Sequence, residues 1–299
     1  MKARVRAWMT DKPVLAFYVL AFAITWLAWF PAAAQSHGVP PFTSPIFANP
    51  VLFIVGGLGP GVAAVVVMRA LHGEAGDQRL LAALRRWRVR TVWWVVAVFA
   101  PIAIWLAAAG LGATLSSDVA RLSSWLALLP SLLWYLLQAV PEEVGWRGFA
   151  LPRLQARYSA LTASLIVGAL WALWHLPLLV DSRNVMSQYP LGAWSVATMA
   201  AAVLYTWLFN NARGSVLLVV VFHAMSNTVG GLAPDRTADV VSDAIVQAVL
   251  AAVIVVVFGA THLSRRRERV TADDVTTPEG EPSNGRQGKE PTRRSSAYR

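Results

Sequence analysis

Two of the chain's 16 Asp and Glu residues, Glu142 and Glu143, sit side by side at the end of a long apolar run, and Arg147 follows one helical turn later. An ionisable side chain in hydrocarbon costs roughly 2.5–3.5 kcal/mol on insertion scales, so a pair of them there marks a functional site by default. Two further spans carry polar groups of catalytic type. His175 lies in one; His223 and Asn227, four residues apart, lie in another. Of the five His in the chain, only these two fall well inside apolar spans.

The spacings decide what these groups can do. Glu143 and Arg147 share one helical face and can enter low dielectric as a pair. Glu142 is turned away by about 100° and has no such local partner, so it is free to face a cavity. A carboxylate and an imidazole, Glu142 and His175, can hold and activate a water, taking its proton and returning it to a leaving amine. His223 and Asn227 project side by side and can donate to a developing oxyanion. Glu143 and Arg147 then act as support. Pro141 and Gly145 loosen the helix where the polar groups cluster.

Each feature has a plainer explanation when taken alone. A Glu–Arg pair is more often structural, a His–Asn pair can be an interhelical hydrogen bond of about 1 kcal/mol, and His175 can be a polar residue near a helix end. Their joint presence on three helices favours a site. A metal reading also exists, with Glu142, His175 and His223 as ligands for Zn²⁺ or another divalent ion. No His-Glu-x-x-His lies on one helix, and an Asn beside the second His suits an oxyanion donor better. Metal-free catalysis is therefore the expectation.

The elements that must position these residues are helices in a membrane. The chain is 56% hydrophobic and 14% charged, against about 25% charged in soluble domains. Several apolar runs reach the roughly 20 residues that span a bilayer. The fold class expected is all-α: a polytopic bundle of about eight transmembrane helices enclosing a polar intramembrane site. The spans run from about Pro13 to Ala34, Val51 to Leu71, Thr91 to Leu111, Ser123 to the acidic motif, Ser159 to Val180, Ala193 to Phe209, Ser215 to Leu232 and Ser242 to Leu263. Ala32-Ala33-Ala34 imitates a signal-peptidase site, but the run before it exceeds a signal core of 7–15 residues, so the first helix is read as retained. With no Cys in the chain, disulfides and thiolate chemistry are excluded.

Between the spans, residues 72–90 form a basic stretch with Leu80, Leu81, Leu84 and Trp87 at helical spacing, read either as an interfacial amphipathic helix or as a solvated loop. Residues 148–158 read as a connector. Asn210 to Gly214 read as a tight turn. Residues 1–263 make one membrane-embedded unit with its motif core at 123–232. Residues 264–299 are charged, rich in Pro, Gly and Ser, and read as a disordered basic cytoplasmic tail.

Of the 26 Lys and Arg, 23 fall on the side that carries the N-terminus, leaving Arg121, Arg183 and Arg236 on the other. That asymmetry puts both termini in the cytoplasm of a multi-pass cell-membrane protein. It also explains the high net charge of +10 without nucleic acid. One geometric problem remains at this level: Glu142 falls near the inner end of its helix and His175 toward the outer end of the next. A deeper or re-entrant stretch within 147–158, or offset or tilted spans, would let them meet.

Glu142-Glu143-x-x-x-Arg147, Trp171-x-x-x-His175 and His223-x-x-x-Asn227 together resemble the three motifs of the CPBP family of membrane proteins, the CAAX-protease and bacteriocin-processing (Abi) proteins. That family includes the CAAX prenyl endopeptidases, and its motifs read EExxxR, FxxxH and HxxxN. Trp171 stands where Phe is usual. The resemblance covers about residues 123–232. It implies a helical bundle around a membrane chamber, with Glu142 and His175 activating water and His223 and Asn227 forming the oxyanion site. The implied activity is hydrolysis of a peptide bond in a membrane-associated peptide or protein, CAAX-like and lipidated in the prenyl endopeptidases. The family carries a metalloprotease label, although the prenyl endopeptidase chemistry looks glutamate-driven. Alternatives are a non-enzymatic immunity or scaffolding protein on the same fold, or a transporter with a Glu142/Glu143 proton relay. The transporter reading would call for inverted repeats, which the sequence lacks.

Overall fold

A computed structural model describes residues 2–115, 127–231, 237–272 and 274. The regular secondary structure among these residues is all helical, with no strand. A short N-terminal helix, α1 (Lys2–Asp11), leads into α2 (Pro13–Ser36). The second apolar rod is broken into α3 (Pro50–Gly57) and α4 (Gly59–His72), and α5 (Glu74–Leu84) folds back beside it. Next come α6 (Thr91–Leu115) and α7 (Leu128–Glu143). The rod of α7 continues through a π-helical segment (Val144–Ala150) into α8 (Leu151–Gln155). The rest is α9 (Ala160–Trp174), α10 (Leu176–Val180), α11 (Leu191–Asn211), α12 (Val216–Gly230) and α13 (Thr237–Phe258).

Among the described residues, five rods are long and apolar enough to cross a membrane: Pro13–Ser36, Pro50–His72, Thr91–Gly112, Leu191–Asn211 and Val240–Phe258. The α7–α8 rod, α9–α10 and α12 complete the eight apolar rods expected from the sequence. Leu27, Phe99, Leu129 and Val256 point outward and stay more than half exposed. Apolar faces of this extent on several helices suit a hydrocarbon solvent, not water. The chain is a multi-pass membrane protein.

The stretch 148–158 is not a connector. Its residues through Gln155 extend the α7 rod, and Gly145 to Pro152 are buried. This resolves the depth problem. Glu142 lies near the middle of a rod that ends at Gln155, and His175 lies a similar number of residues beyond the turn at 156–159. At 1.5 Å per residue, both stand about 20 Å from that turn, at one level. His175 itself is a break between α9 and α10. Pro177 has no N–H to give, and its ring crowds the carbonyl four residues back, so the helix cannot continue smoothly.

Two helices approach through glycine and proline. A Cβ on Gly61 would sit 2.9 Å from Pro141 Cβ, and one on Gly145 would sit 2.6 Å from Pro60 Cβ. The two pairs are reciprocal, and they lock α4 against the rod that carries Glu142 to Arg147. Gly145→Ala is therefore expected to destabilise the protein by about 1–3 kcal/mol, as overpacking does; a lower melting temperature in detergent is the check.

The segment after α13 is ordered by polar side chains. Gln155 Nε2 donates to Asn210 Oδ1 at 3.0 Å and Asn210 Nδ2 donates back to Gln155 Oε1 at 2.8 Å. The same two amides hold the carbonyls of Val270 and His262. Residues 260 and 261 in turn accept from the first amides of α9, at Leu161 and Ala160, while Ser159 caps Thr162 N. The orphan donors of α9 are thus satisfied. Residues 264–272, grouped with the tail on composition, pack here, with Ser264 and Val270 buried. Asn210 and Asn211 end α11 and do not begin a free turn. The tail from 275 on, the start of the fourth span at 123–126, Leu232, Arg121 and Arg236 lie outside the described residues.

In the basic stretch, Glu74–Leu84 is a helix with Leu80 and Ala83 buried. Its acidic first turn, Glu74 and Asp77, suits a helix N-terminus, and Asp77 pairs with Arg69 at 2.7 Å. Leu81 and Trp87 remain exposed.

Candidate active site

Glu142 and Glu143 close α7, and the two carboxylates go to different places. Glu143 is fully buried and so is Arg147. Arg147 Nη1 donates to both Glu143 oxygens at 2.9 Å. Glu143 Oε1 also meets His223 Nδ1 at 2.8 Å, joining α12 to the α7 rod. Arg147 has no hydrogen-bond partner for Nε or Nη2 among the described residues. Instead its guanidinium lies between the rings of Trp171 and Tyr205, 5.0 and 4.7 Å from their centroids, a cation–π arrangement.

Glu142 takes no part in that pairing. It is 8% exposed and lines a cavity of about 620 Å³. Its Oε2 accepts from Trp171 Nε1 at 2.8 Å. His175, His223 and Asn227 line the same cavity. His175 Nδ1 lies 2.9 Å from the carbonyl of Trp171. A carbonyl only accepts, so Nδ1 carries the hydrogen and Nε2 of the neutral ring is a lone pair. All four residues singled out from the sequence therefore reach one chamber, and Glu143 and Arg147 lie directly behind it.

The end of α9 is held by a relay. Trp174 Nε1 donates to Thr25 Oγ1 at 2.7 Å, and Thr25 Oγ1 donates to Gly56 O at 2.6 Å. Trp26 Nε1 donates to Trp174 O at 3.1 Å. These bonds tie the His175 corner to α2 and to the break between α3 and α4. The His175 ring sits among indoles, with centroids 4.6 Å from Trp174 and 5.4 Å from Trp194.

Two members of the site, Tyr205 and Thr25, carry no signal in the sequence, and a third, Trp171, carries only part of its role there. Trp171 registered only as a bulky aromatic, although its N–H is the signal that distinguishes it from Phe. Tyr205 and Thr25 sit in apolar spans where one hydroxyl carries no pattern. Pairing of His223 with Glu143 also went unseen, because it links helices 80 residues apart. Among the described residues, no three or more His, Cys, Asp and Glu side chains form a metal-ligand group. Glu142, His175 and His223 line one chamber.

The structure is a multi-pass α-helical bundle in which EExxxR, WxxxH and HxxxN are collected at one interior cavity. Its core is similar to one family: the family model described as "Type II CAAX prenyl endopeptidase Rce1-like" matches residues 123–229. A "CAAX prenyl protease 2" from Methanococcus maripaludis is 35% identical over 107 residues, an alignment covering 33% of this chain and 39% of the relative. The chain thus spans well under half the length of the curated relative it matches.

Proposed function

We propose that the protein is an intramembrane endopeptidase in which Glu142 is the general base. The observation that carries this reading is the division of labour between neighbouring carboxylates. Glu143 is consumed by Arg147 and His223, while Glu142 opens on the cavity. A water in that cavity would donate one hydrogen to Glu142 and the other to His175 Nε2, leaving its oxygen lone pair for a peptide carbonyl. Glu142 takes the proton as the C–O bond forms. Asn227 Nδ2–H and His223 Nε2–H donate to the resulting oxyanion. Glu142 then delivers its proton to the amine nitrogen, the C–N bond breaks, and a carboxylic acid and an amine leave.

The oxyanion role requires both nitrogens of His223 to carry hydrogen, since Nδ1–H is given to Glu143. The cluster then holds two carboxylates, a guanidinium and an imidazolium, and is neutral overall. Neutrality is what lets four ionisable groups share a low-dielectric site. Glu142 and His175 carry the proton transfers of this route, so it assigns no step to a metal.

The substrate is a membrane-associated protein or peptide carrying a hydrocarbon chain, a prenyl group in the first instance. The cavity walls support this: Ile54, Leu58, Ile104, Trp105 and Leu137 line it alongside the polar groups. The name of the relative points the same way. Charge asymmetry supports cytoplasmic termini, so the proposed location is the cell membrane with both termini inside.

The test is cleavage of matched peptides with and without a C-terminal prenyl-cysteine by purified protein, read by mass spectrometry. The prenylated peptide is expected to have a kcat/KM higher by about tenfold or more, given about 0.8 kcal/mol for each CH₂ buried. Equal cleavage of both would remove the prenyl assignment. Cleavage of neither would favour a binding or scaffolding protein.

A further inference from the structure

The geometry points to Trp171 as the positioning residue of the proposed water site, holding Glu142 through its indole N–H and His175 through its carbonyl. This inference rests on the base role of Glu142 proposed above. Trp171 Nε1 donates to Glu142 Oε2 at 2.8 Å, and its backbone oxygen meets His175 Nδ1 at 2.9 Å. One residue therefore orients both groups that would hold the water. It does so from a fixed seat. Trp171 is only 6% exposed, its ring lies 5.0 Å from the Arg147 guanidinium, and it stands edge-on to His223 at 5.3 Å.

The need for such a donor follows from what surrounds Glu142. Arg147 gives its donated hydrogen bonds to Glu143, and His223 Nδ1 does the same. Among the described residues, Trp171 Nε1 is the donor that reaches Glu142. A carboxylate with one oxygen held by an N–H keeps the other oxygen aimed at the cavity, and such orientation is worth more in rate than in stability. Phenylalanine, the usual residue of the resembling motif, would keep the ring contacts with Arg147 and His223 and lose this bond. In this chain the positioning of the base is therefore built on an atom that the motif pattern does not require.

Two variants and one spectrum test this. Trp171→Phe deletes the N–H and shrinks the ring. Incorporation of benzothienylalanine at 171 replaces only the N–H by sulfur and keeps the shape. In both, kcat is expected to fall by about 10- to 100-fold, the worth of a hydrogen bond to a charged group, with KM within about twofold. Independently of activity, the Trp171 indole N–H resonance in detergent micelles, assigned by its loss in Trp171→Phe, should lie downfield and move upfield in Glu142→Ala. Unchanged kcat in the folded benzothienylalanine protein would overturn the inference, as would a resonance indifferent to Glu142→Ala. Full activity in Glu142→Gln would instead sink the base assignment, and the spectrum would still report on the hydrogen bond.

Discussion

Glu142→Gln is expected to lower peptide cleavage by about 10²- to 10⁴-fold, the usual worth of a positioned general base, without lowering the melting temperature. Gln has the same size and still offers an oxygen to Trp171 Nε1, now 2.8 Å from Glu142 Oε2. It cannot take a proton from water. Packing therefore stays and the chemistry goes. The neighbouring substitution makes the contrast. Glu143→Gln leaves Arg147 buried without its counter-charge and weakens the tie to His223, so it should cost stability first and activity as a consequence. If Glu142→Gln melts early while Glu143→Gln does not, the assignment of the two carboxylates is reversed.

The second large effect is on stability. Arg147→Met is expected to destabilise the fold by about 3–5 kcal/mol, because it strands Glu143 as a buried carboxylate. Both side chains are 0% exposed, so solvent cannot make up the loss. The double variant Glu143→Gln/Arg147→Met should recover much of that stability, since removing both partners replaces a buried ion pair by neutral groups. Cleavage should stay impaired, because His223 would lack its anionic partner. A double-mutant cycle on unfolding in mixed micelles measures the coupling. A cost below about 1 kcal/mol for Arg147→Met would mean that the pair is not isolated from water.

Much of the site was legible because buried charge is rare in membrane spans. Glu142, Glu143 and Arg147 declare themselves by position, and the four-residue spacings of Glu143–Arg147 and His223–Asn227 put each pair on one face. Apolar length alone marked all eight rods. What stayed hidden has physical causes. The π-helical continuation after Glu143 was hidden by Gly145, Gly148 and Pro152, which read as a helix end when no neighbour is known; packing of Gly145 on Pro60 shows why glycine is needed there. The ordering of 264–272 depends on Gln155 and Asn210 holding backbone carbonyls, and such bonds leave no hydrophobic periodicity to read. The same holds for Trp171, where a ring is legible in a motif but the direction of its N–H is not.

The most direct test of the account is the chelator response of the proposed prenyl-peptide cleavage, run with wild type and with Glu142→Gln as the baseline for contaminating protease. Glutamate-driven hydrolysis predicts a wild-type rate unchanged after incubation with a strong zinc chelator and far above the Glu142→Gln baseline. Loss of the wild-type rate with chelator, restored by added zinc, would contradict it and make Glu142, His175 and His223 metal ligands.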